Sequence, residues 1–154
     1  MAQSTATQIA AAIADDLSDW YVERDVEDVD VGRDDTPIYD MGSKSAGIMY
    51  VTIYESDSTL ERATRTSNRA DSIIQIGVQK RYGAGGGGLD EKDQLRYELE
   101  QIAERYFGVD VQIDGKTIRA SSCVFGAVND PTMTVQQNSY FGVVEMTFRD
   151  RTRP

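Results

Sequence analysis

The sequence predicts an α+β domain: an antiparallel sheet, with a mixed sheet also open, and two main helices packed on it. Three observations carry this. Residues 69–82, RADSIIQIGVQKRY, alternate, with Ile74, Ile76 and Val78 on one side and Gln75, Gln79 and Arg81 on the other. That period of two marks a half-buried strand, here a central one. Residues 139–149 alternate in the same way. Residues 4–22 and 90–107 instead repeat their apolar positions at three and four, the period of an amphipathic helix.

The size and charge set the bounds. A chain of 154 residues suits one domain spanning 1–154. Its net charge is −10, with 40% apolar residues. An acidic domain is poorly suited to gripping nucleic acid, which takes clustered lysine and arginine. The lone Cys123 allows no intramolecular disulfide and fits a reducing environment. With no histidine, the commonest general base and metal ligand is missing. The first seventeen residues have no basic start, and Asp15 and Asp16 break the apolar run, so no signal peptide is expected. No stretch approaches the length of a membrane span.

Taken in order, the first helix places Ile9, Ile13, Leu17 and Trp20 on one stripe, with Ser4 or Thr5 as N-cap. Residues 25–31, DVEDVDV, suggest a short edge strand whose acids discourage edge-to-edge pairing. The cluster Asp28, Asp30, Asp34 and Asp35 fails the calcium-loop pattern. Gly32 falls one position early, and Tyr39 stands where a bidentate glutamate belongs. A solvated acidic loop is the expectation. Residues 47–54, GIMYVTIY, form a strand with Met49, Val51 and Ile53 on one face. Tyr50, Thr52 and Tyr54 lie on the other, against a helix or a neighbouring subunit.

Residues 55–70 are expected to form a long flexible polar loop. Arg62, Arg65 and Arg69 are spaced so that a helical turn would align them, either as a solvated surface or as an ion-pairing one. Residues 83–88 are nearly all glycine and match GxGxxG. The acids Asp90, Glu91 and Asp93 that follow would repel a pyrophosphate, no second βαβ unit appears, and GK[ST] is missing. A hinge or an assembly-ordered loop is expected, with no cofactor.

In the second helix Asp90 caps, Leu95, Leu99, Ile102 and Tyr106 form the core stripe, and Gly108 ends it. Arg96 and Glu100 pair on its outer face. One or two strands with an Asp114-Gly115 turn are expected over 109–125, a loop at 129–131, and a frayed polar end from 150 onward. The last strand carries bulky residues on both faces, so it is either central or covered by another subunit.

No nucleophile–base pair is legible, because histidine and GxSxG are both missing. No carboxylate pair stands out among 26 acids. Cys123, between Ser122 and Val124, reads as a small buried hydrophobe. An enzyme is not expected.

The order VTIY, arginine-spaced polar segment, IIQIGVQKRY, helix, YFGVVEMTFR resembles the tail terminator and neck (tail-completion) proteins of tailed bacteriophages. The likeness covers most of the chain in element order and is concentrated in residues 74–82 and 140–149. It implies an α+β subunit that assembles as a ring, commonly a hexamer, on the tail-tube protein and joins it to a neck, head-completion or connector protein. Genomic DNA would pass through the lumen without sequence-specific binding, in a virion assembled in the host cytoplasm. The −10 charge would keep that lumen non-adhesive. The glycine run has no counterpart in the family pattern. Interface expectations are Arg62, Arg65 and Arg69 against a neighbour's Asp28, Asp30 or Asp34, with Tyr50 and Tyr54 on a covered face. The alternatives are a head–tail adaptor, a head-closure or tail-tube subunit, or a small nucleotide-binding domain using the glycine loop.

Overall fold

The computed structural model describes residues 5–33, 47–62, 68–81, 89–108, 111–113, 116–125 and 139–152. The elements run α1 (Thr5–Glu23), β1 (Val29–Arg33), β2 (Met49–Arg62), β3 (Asn68–Arg81), α2 (Leu89–Gly108), β4 (Val111–Ile113), β5 (Lys116–Ile118), β6 (Ala120–Phe125) and β7 (Ser139–Thr152). This is an α+β fold with two helices on a five-stranded sheet ordered β1-β2-β3-β7-β6. Every pairing in the sheet is antiparallel except β1 with β2. That parallel pair needs a crossover connection, and residues 34–48 supply the length. β4 and β5 pair as a separate two-stranded ribbon.

The expected central strand is indeed third of five. On its helix-facing side the alternation builds cross-strand rows. Ile53, Ile76, Val144 and Phe125 form one row; Ile74, Met146 and Cys123 form the next. Onto this face α1 lays Ile9, Ile13, Leu17 and Tyr21, and α2 lays Leu95, Leu99, Ile102 and Tyr106, all buried. The fourth α1 position differs from expectation. Tyr21, four residues past Leu17, enters the core, while Trp20 stays partly buried on the seam toward α2.

The opposite sheet face is also buried at its proximal end. Tyr50, Gln79 and Phe141 share one row, and Thr52 lies nearby; each is at most 8% exposed. Further along, Gln75 Nε2 donates to Glu145 Oε2 at 3.1 Å across adjacent strands.

α1 ends on a left-handed residue. Asp25 has φ 55°, its N–H donates to Val22 O, and Val26 N–H donates to Tyr21 O. This is a Schellman turn with aspartate where glycine is usual. Asp25→Ala is therefore expected to cost about 1 kcal/mol, because alanine tolerates this φ less well. The melting temperature should fall by roughly 2–4 °C for a domain this size. Asp25→Gly should hold or raise it, and an unchanged Asp25→Ala melt would contradict this reading.

Three strands of fourteen residues are longer than the helix-covered core requires. Residues 55–62 continue β2, and the ladder with β3 closes at Arg62 opposite Asn68. The long loop expected over 55–70 is thus mostly strand, with a bulge between Glu55 and Asp57. β7 likewise runs to Thr152, past the point where fraying was expected, because Asn68–Asp71 of β3 pair with it. The glycine run at 83–88 and the expected Asp114-Gly115 turn lie outside the described residues.

Candidate interaction surfaces

Two clusters of polar and aromatic groups distinguish the helix side. In the first, α1 and α2 run antiparallel and are fastened by two arginines. Arg105 of α2 grips Asp16 of α1 through two N–H···O bonds of 2.8 Å. Arg24, just past the end of α1, reaches Glu98 of α2 with bonds of 3.2 and 3.3 Å. Trp20 lies between them, its ring centre 4.5 Å from the Arg24 guanidinium and 5.2 Å from that of Arg105. Tyr106 donates its hydroxyl proton to Asp16 Oδ2 at 2.7 Å.

The electrostatics follow from these partners. Hydrogen bonds from Arg105 hold the Asp16 carboxyl below its ordinary value, although burial pulls the other way. Burial first, and then Asp16, keep the Tyr106 phenol protonated far above its usual range. Burial does the same to Tyr21, with Glu98 adding to it. The Tyr21 hydroxyl has no hydrogen-bond partner among the described residues. Each charged group in this seam is satisfied by another within it. Its role is to set the helix pairing.

The second cluster is open. A groove of about 520 Å³ runs between α2 and β6, lined by Glu100, Ala103, Glu104, Phe107, Cys123 and Phe125. A smaller hollow adjoins it, with Arg96 and Leu99 on its wall. Phe107 and Phe125 are each about half exposed, and Val124, on the other face of the same strand, is 60% exposed. Among the described residues β6 is also an edge strand of the sheet. Cys123, expected to be buried, is half-buried at this edge because no further strand covers it among the described residues. Burial raises its thiol pKa.

The residues singled out from sequence scatter. Asp28 and Asp30 are exposed at the start of β1; Asp28 has φ 59°, and its carbonyl accepts the Met49 N–H at 2.8 Å. Arg62 and Arg69 stand at the far end of β2 and β3, as strand residues, so no helical turn aligns them. Thirteen residues of β2 separate the two ends, about 40 Å. Asp34 and Arg65 lie outside the described residues. Tyr50, expected on a subunit-facing surface, is buried within the protomer, whereas Tyr54 is half-buried opposite Gln75. Arg33, absent from the expectations, pairs with Glu55, which also accepts from Thr7 Oγ1 of α1 at 2.9 Å. Among the described residues, no three acidic or cysteine side chains gather as metal ligands would. Among the described residues no helix is long and apolar enough to cross a membrane.

The groove escaped the sequence reading because its walls come from separate elements. One signal was present: Ala103 and Phe107 repeat at four, beside the core stripe of α2. Compared with known proteins, the sequence matches no family profile and no curated protein. Nineteen chains of known structure are similar in shape. One, whose name states no activity, shares 16% identity with a TM-score of 0.53 over 96% of both chains. At that identity the likeness shows the fold alone.

Proposed function

We propose that this chain is a structural subunit of a bacteriophage tail. In this reading it forms a ring, commonly six-fold, that ends the tail tube and joins it to the neck. The observation that carries the reading is the strand ladder that runs beyond the core. The last row with a described core residue pairs Ser72 with Phe148. Beyond it, Thr59–Arg62, Asn68–Asp71 and Arg149–Thr152 carry mostly polar residues in continuous pairing. An extension of that kind brings few apolar side chains to its own protomer. It suits a subunit that contacts neighbours. The separation of exposed Asp28 and Asp30 from the arginine-bearing end fits a head-to-tail ring, which needs two different patches.

The test is native mass spectrometry across a concentration series, with negative-stain microscopy of the same samples. The expected result is a closed ring without filaments. Long filaments would move the assignment to a tube subunit. A protein that stays monomeric and is not recruited by added tail tubes would overturn the reading.

A further inference from the structure

We draw no further inference here: the strongest candidate, the groove between α2 and β6 flanked by the half-exposed Phe107 and Phe125, carries none, because nothing in the structure shows what covers it.

Discussion

Ile76→Ala is expected to destabilise the fold by about 3–4 kcal/mol. Ile76 is fully buried at the centre of the sheet, between Ile53 and Val144, beneath both helices. Truncation removes three buried carbons and leaves a cavity that paired strands on either side cannot collapse into. Domains of this kind have total stabilities of about 5–15 kcal/mol, so the loss is a large share. In urea the midpoint should fall by roughly 1.5–2 M. Ile73→Ala is the matched control. Ile73 lies on the opposite sheet face, next to Thr147, and is only half-buried, so its loss should be about 1 kcal/mol. Equal losses at the two positions would refute the facing assigned to β3.

The second large effect is at the helix seam. Arg105→Ala should cost about 1–2 kcal/mol at neutral pH. The figure is kept modest because the Arg105 and Asp16 side chains are 27% and 38% exposed, so water screens the pair. The loss combines the paired hydrogen bonds to Asp16 with the stacking on Trp20. Its pH dependence has a definite sign. The folded Asp16 carboxyl titrates below its unfolded value, principally because of the Arg105 hydrogen bonds. Its contribution is therefore complete above the ordinary carboxylate range, near 3.9, and is lost as the pH falls through the lower folded value. Wild type and Arg105→Ala should differ most at pH 6–7, by the ~1–2 kcal/mol above, and converge in acid. Urea unfolding of both proteins from about pH 7 down to pH 2.5 measures this. A difference that persists undiminished in acid would show that the loss comes from packing on Trp20 alone.

These effects also show what could be read early. The sequence spacing identified Ile74, Ile76, Val78, Leu95, Leu99, Ile102 and Tyr106 as core residues, and all are buried. Trp20 packs against the core only in part, because spacings of three and four both suit one helix face. Only the position of α2, with Arg105 and Glu98, decides that Tyr21 goes inward and Trp20 onto the seam. The sequence left the Tyr50 face open to cover by either a helix or a neighbouring subunit, because polar-tipped aromatics suit both. The protomer itself buries it, in a row with Gln79 and Phe141.

The sequence by itself determined the α+β class, the two helices and which face of the central strands meets them. Those properties follow from local periodicity, since a side chain's direction depends on its own helix or strand. Tertiary structure decided the rest. The polar stretches 55–62 and 68–71 became strands because a backbone ladder already formed at its apolar end can extend along a neighbour, whatever the side chains. β1 runs parallel to β2, β6 closes the far edge, and the α2–β6 groove with its two half-exposed phenylalanines exists only once both elements are in place. Neighbouring strands and shared grooves are made by residues far apart in the chain, so no window of the sequence contains them.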